Sequence, residues 1–338
     1  MSRPLLALTM GDVAGIGPEI IAKAFRNSET RELARIVVIG DIRALERGIA
    51  DTGVGLDVHS IHRIGDIRDE PGVVDILQPG EPINAPTGEI SAAAGAGSVA
   101  FIKEACRLGR NGDIDGIVTA PLNKAAMHAA GHLYPGHTEL LAEEFGVSRF
   151  ALVLAAESLY VFHITTHVAL RDAIDLMTKQ RALATIRLAG AFASAVGDGS
   201  APIGVMGLNP HAGEGGLFGT EEASVLAPAI SDARKEGLQV EGPLPGDALF
   251  PQAVQGKWRY IVVCYHDQGH IPFKSYYGDE GVNITAGLPV VRVSVDHGTA
   301  FDIVGQGIAR EESLLLAIRR AAAFVPDWSM IWDTVQER

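Results

Sequence analysis

The feature that most constrains this chain is an alternation of short, nearly uninterrupted apolar runs with longer segments of helical periodicity. Residues 5–10, 36–39, 116–120, 151–155, 160–165, 203–207 and 260–264 form the short runs. A short apolar run bounded by glycine or polar residues is how a strand buried on both faces is written. Between them, residues 18–25, 90–110, 179–196, 220–235 and 311–324 carry helix-like patterns. Strand and helix in turn predict an α/β fold with a largely parallel sheet. Segment 90–99 is rich in small residues and predicts a closely packed helix, while the Gly- and Pro-rich stretches 71–88 and 242–246 read as loops.

A chain of 338 residues, 47% apolar, has the material for roughly two domains of about 150 residues. Its 28 basic and 41 acidic residues give a net charge of −13, which offers no complementary surface to nucleic acid or to an anionic membrane. Such a chain can bind an anion only by concentrating a few cations locally. Two cysteines, Cys106 and Cys264, make no disulfide framework and fit a reducing cytoplasm. Gly11 and Asp12 interrupt the first apolar run before a signal-peptide core is complete, and no stretch is long and apolar enough for a membrane span.

Three sets of residues carry candidate chemistry. The first is the glycine-rich turn from Gly11 to Glu19, with Pro18 where a first helical turn tolerates a missing N–H. It matches neither a dinucleotide fingerprint nor a phosphate loop, so a tight structural turn and a ligand-facing corner both remain open. The second is histidine placement: His167, His211 and His266 each follow a predicted strand, where α/β active sites form, while His163 sits inside the strand read over 159–166 and is assigned to packing. Three imidazoles at three strand exits suit a divalent metal with an open position, although lone histidines are more often core or solvated. The third is a set of polar groups read as loop residues: His137, Thr138, Glu139, Asp247, Lys274, Asn283 and Arg292. Lys274 and Arg292 suggest an anion pocket, with surface salt bridges as the plain alternative. Cys264 lies in an apolar run and reads as buried filling rather than a nucleophile.

In their order and spacing, the turn Gly11-Asp12 to Glu19, Ala120-Pro121-Leu122-Asn123-Lys124, Gly136-His137-Thr138-Glu139, Thr165-Thr166-His167, Asn209-Pro210-His211-Ala212-Gly213-Glu214, Gly242-Pro243-Leu244-Pro245-Gly246-Asp247, Tyr265-His266-Asp267-Gln268-Gly269, Val282-Asn283-Ile284-Thr285 and Asp296-His297-Gly298-Thr299-Ala300 resemble the 4-hydroxythreonine-4-phosphate dehydrogenase (PdxA) family. Segments 11–19 and 297–307 also resemble pieces of isocitrate and isopropylmalate dehydrogenases. That likeness implies a two-domain α/β/α fold with the active site in a cleft, divided as 1–130 plus 300–338 and 131–299, the second domain carrying metal and substrate ligands and the dimer interface.

The resemblance implies that His167, His211 and His266 bind one divalent ion (Zn, Mg, Mn or Co), His266 coming from the second subunit of a homodimer. It implies that His137, Thr138, Lys274, Asn283 and Arg292 hold a phosphorylated substrate. The cofactor would be NAD or NADP, with His297, Gly298, Thr299 and Ala300 at its adenosine end. Asp247 and Lys274 are the two candidates for proton transfer. The opening Thr9-Met10-Gly11-Asp12, Tyr134-Pro135, segment 269–274, Thr285-Ala286-Gly287-Leu288-Pro289 and Ala300-Phe301-Asp302-Ile303 are similar to the catabolic branch, the D-threonate and D-erythronate 4-phosphate dehydrogenases. The implied reaction oxidises a 3-hydroxyl and then releases carbon dioxide, leaving dihydroxyacetone phosphate. The alternatives are the vitamin B6 enzyme acting on 4-hydroxy-L-threonine 4-phosphate and, from another class, a metal-dependent hydrolase or lyase with no redox step.

Overall fold

The computed structural model describes residues 3–336. Among them are twelve strands: β1 (Leu5–Thr9), β2 (Arg35–Ile39), β3 (Asp57–Ile61), β4 (Val73–Leu77), β5 (Gly116–Thr119), β6 (Ala151–Ala155), β7 (Tyr160–His163), β8 (Ile203–Met206), β9 (Val240–Leu244), β10 (Tyr260–Val263), β11 (Val282–Ala286) and β12 (Val291–Val295). The chain forms two compact units, one from the residues through Ser148 together with Leu288–Val325, the other from Arg149–Gly287 together with the described residues from Pro326 onward.

In the first unit the strands run β3-β4-β2-β1-β5-β12, all parallel. β1 is fully buried, which is why it reads as a pure apolar run. The small-residue segment does what its composition predicts: in the helix Ala92–Asn111, a Cβ on Gly95 would lie 2.0 Å from the Ala126 carbonyl oxygen, so only glycine lets the helix Lys124–Ala129 pack so closely. In the second unit the order is β11-β6-β7-β10-β8-β9, antiparallel across β11, β6 and β7 and parallel beyond. Leu154, Val161, Met206, Leu249, Trp258, Ile261 and Phe273 form its core on one face. The helix Trp328–Gln336 covers the helix Lys179–Ala195, with the Phe192 and Trp328 rings edge to face at 6.4 Å.

All the predicted strands form, and five more join them. β3 is a half-exposed polar edge, and β4 lies inside stretch 71–88, so that reading as loop is corrected. β9 carries Gly242 and Pro243, as an outermost strand can, which corrects the loop reading begun at 242. β11 and β12 alternate apolar with polar residues and are buried all the same. The division also differs from the expected one. The helix His137–Phe145 packs on Ala92–Asn111, β12 pairs with β5, and the last helix packs in the second unit, so 131–148 and 288–299 belong to the first unit and 326–336 to the second. No helix of the described residues is long and apolar enough to cross a membrane.

Candidate active site

In the second unit, the exits of β7 and β10 are tied together. The Val263 carbonyl accepts from the Ile164 N–H, and the Cys264 carbonyl accepts from both the Thr165 N–H and the Thr165 hydroxyl. β7 stops at His163, so His167 stands four residues beyond the strand, on a left-handed turn with φ 40°, while His266 opens the helix His266–Tyr277. Their rings come to 5.5 Å and line one cavity of about 270 Å³ with Thr166 and Asp267. Two imidazoles sharing a tetrahedral ion put their ring centres about 5 Å apart, so this pair fits a common metal. The His266 ring also has outer support, its Nδ1 lying 2.7 Å from the Asp267 carboxylate and its face stacking on His270 at 3.6 Å.

His211 lies elsewhere in this unit. It lines a larger cavity of about 750 Å³ with Asn209, Asp247, Gln268 and Tyr265, and Tyr265 is common to both cavities. Among the described residues no group of three or more His, Cys, Asp or Glu stands close enough to hold an ion. The three-residue set is thus gathered as a pair and a neighbour. The His211 loop is nevertheless built with strain: His211, Ala212 and Glu214 all have φ between 43° and 53°, a region that costs a residue with a Cβ about 1–2 kcal/mol. Buried Glu222 holds it, one carboxylate oxygen accepting from the Asn209 backbone N–H (2.7 Å) and the other from its side-chain amide (2.9 Å). Gln268 links the strand exits, accepting from the Cys264 N–H and donating to the Gly207 carbonyl.

The residues read as loop polar groups are not in loops. His137 and Thr138 begin a helix, Asp247 lies in the first turn of Gly246–Val254, Lys274 in the last turn of the His266 helix, Asn283 on β11 and Arg292 on β12. Cys264 is buried and its thiol is pushed far up by desolvation, so it is filling, as its apolar run implied.

In the first unit, Arg292 is 2% exposed and donates to the Thr119 hydroxyl at 2.8 Å. Burial pushes its guanidinium down to about 9, and the nearby Glu139 carboxylate opposes that. His137 is held well below the ordinary imidazole range by desolvation first and then by the charges of Arg292 and Lys124. Its Nε2 is buried with no hydrogen-bond partner. A neutral imidazole with an unused ring nitrogen beside a buried cation is the local concentration of charge that an acidic chain needs to bind an anion. Lys124 belongs to this cluster and was legible only as part of its motif.

The segment His297 to Ala300 follows β12 in the same unit. His297 Nδ1 faces the Gly298 carbonyl at 3.1 Å, while its buried Nε2 has no partner, and Ala300 is left-handed at φ 44°. An unpartnered ring nitrogen fits a ribose hydroxyl or a purine nitrogen. The glycine-rich turn is a tight corner: a Cβ on Gly17 would lie 2.2 Å from the Met10 carbonyl oxygen, and one on Gly15 2.8 Å from Thr299. Its Asp12 carboxylate is buried and pushed up by desolvation against a single backbone N–H from Ala14.

The family described as "Pyridoxal phosphate biosynthetic protein PdxA" matches residues 32–321. The chain is 58% identical, over 98% of its length and 96% of the relative's, to the D-threonate 4-phosphate dehydrogenase of Bordetella bronchiseptica. It is 44% identical, over 95% of each chain, to a protein of Geobacter metallireducens named 4-hydroxythreonine-4-phosphate dehydrogenase. The crystal structure of the Klebsiella pneumoniae 4-hydroxythreonine-4-phosphate dehydrogenase superposes with a TM-score of 0.82 at 42% identity, covering 96% of this chain and 98% of that one. With that match spanning most of its length, this chain belongs to the PdxA family and is a dehydrogenase, an oxidoreductase acting on CH–OH groups.

Proposed function

We propose that the chain oxidises the 3-hydroxyl of D-threonate or D-erythronate 4-phosphate with NAD or NADP in the presence of a divalent metal, and that the resulting 3-keto acid loses carbon dioxide to give dihydroxyacetone phosphate. The observation that carries the reading is buried Arg292 beside a His137 whose Nε2 is buried and whose imidazole is held well below its ordinary range, a place for an anionic group in a chain of net charge −13. The name of the 58% identical relative supports the acid substrate.

His167, His211 and His266 would hold a divalent ion, which would supply Lewis acidity, and a bound nicotinamide would supply the hydride acceptor. Arg292, His137, Thr138, Lys274 and Asn283 would hold the phosphorylated substrate, and His297, Gly298, Thr299 and Ala300 would take the adenosine end of the cofactor. Asp247 shares its cavity with His211, which makes it the better placed of the two proton-transfer candidates; Lys274 lines neither cavity. On oxidation the hydroxyl proton would go to the base and the C3 hydride would be taken by the nicotinamide. On decarboxylation the electrons of the C1–C2 bond pass to C2, which is then protonated. A homodimer and a cytoplasmic location complete the reading, the latter suiting two buried, free thiols.

The test is reduced-nicotinamide formation with NAD or NADP and added divalent metal, comparing D-threonate 4-phosphate, D-erythronate 4-phosphate and 4-hydroxy-L-threonine 4-phosphate. Preference for an acid is the expected result. Preference for the aminated substrate would install the second reading, that of vitamin B6 synthesis, which the name of the 44% identical relative favours.

A further inference from the structure

Glu19 is 1% exposed, lies in the first turn of the helix Gly17–Arg26, and spends both carboxylate oxygens on one loop. One oxygen accepts from the Gly305 N–H at 2.6 Å and the other from the Gly307 N–H at 3.1 Å. Both glycines are left-handed, at φ 79° and 66°, and a Cβ on Gly307 would lie 2.4 Å from the Asp51 carbonyl oxygen. The loop is thus folded so that two N–H groups turn toward a single buried anion. Two more contacts fasten the same segment to the glycine-rich corner: the Thr299 carbonyl accepts from the Ile16 N–H at 3.1 Å, and the Ala309 carbonyl accepts from Lys23 Nζ at 2.5 Å. A carboxylate at the start of a helix repels an anion there, so this corner is not arranged to bind a phosphate itself. It is arranged to hold residues 298–309.

We propose that Glu19 is the positioning residue for the nicotinamide cofactor: by gripping Gly305 and Gly307 it fixes the loop whose beginning, His297 to Ala300, receives the dinucleotide. This rests on the cofactor reading given above for those residues. The grip requires two acceptors. Glutamine in the same place offers one oxygen, and its amide N–H would face the second backbone N–H.

Hydrogen exchange on the cofactor-free wild type comes first, because it needs no variant. The Gly305 and Gly307 amides should exchange far more slowly than those of an open loop, and unprotected rates at both would overturn the grip. In Glu19→Gln the amides of 299–307 should exchange faster. Its Kd for NAD or NADP by titration calorimetry should rise about ten-fold, the equivalent of one charge-assisted hydrogen bond, with KM for the cofactor rising in step and kcat little changed. A Glu19→Gln protein that loosens this loop yet binds cofactor as tightly as wild type would overturn the positioning role. If the cofactor binds wild type without protecting 297–307, the reading of that segment fails instead, and the positioning role with it.

Discussion

At the scale of single residues, burial decides what each charge can do. Arg292 is a cation with almost no water that donates to the Thr119 hydroxyl at 2.8 Å. An incoming phosphate restores what burial removes, so Arg292→Met should raise KM for the phosphorylated substrate by about ten- to a hundred-fold with a smaller fall in kcat, measured by steady-state kinetics. Arg292→Lys should recover only part, because a point charge lacks the planar fork. His137 gives a test by pH. Its imidazole is neutral in the fold, whereas an unfolded one takes a proton near pH 6.5. Above that pH the residue is pH-neutral to stability; below it the unfolded state binds a proton the folded state refuses, and stability falls by up to about 1.4 kcal/mol per pH unit. Urea midpoints between pH 5 and 7.5 should therefore drop less steeply in His137→Gln than in wild type, and equal slopes would contradict the burial argument. The identity of these residues was legible from sequence, because His137 stands between Gly136 and Thr138 and Arg292 is a cation inside an apolar run of an acidic chain. Their pairing was not, because it depends on which helix start meets which strand.

At the scale of elements, strands written as uninterrupted apolar runs declared themselves, whereas edge strands and the buried but polar-containing β4, β11 and β12 did not. β1, β2 and β10 could be read from apolar runs alone, whereas β3 and β9 carry polar residues or proline that an edge tolerates. The π-helical turn Glu222–Leu226 was likewise invisible, since nothing in Glu-Ala-Ser-Val-Leu distinguishes it from an ordinary helix. Yet that turn supplies the carboxylate that braces the His211 loop from within. Glu222→Gln leaves one of the two Asn209 donors facing an amide N–H in a buried site, and should lower unfolding stability by about 1–3 kcal/mol. Thermal melts check that, and cobalt titration should show weakened metal uptake in the same variant. A variant as stable as wild type would mean the strained loop is held by something other than Glu222.

At the scale of the whole molecule, each unit is completed by chain that returns from far along the sequence. The final helix belongs to the second unit through Trp328, Ile331 and Val335, all buried. Trp328→Ala should cost about 3–5 kcal/mol, seen in the unfolding midpoint, and hydrogen exchange should report the loss in the helix Lys179–Ala195 before it reaches β1 or β5. That a chain of this length makes two units was legible; the positions of the crossings were not, because they are set by which sheet β12 and the last helix join. The return of β12 to β5 has a further consequence during synthesis. The ribosome delivers β5 some 170 residues ahead of its partner, so until Val291–Val295 emerges a newly made first unit shows a bare row of backbone donors and acceptors along an apolar strand. Such a nascent chain is a natural client for a chaperone that shields it over that interval.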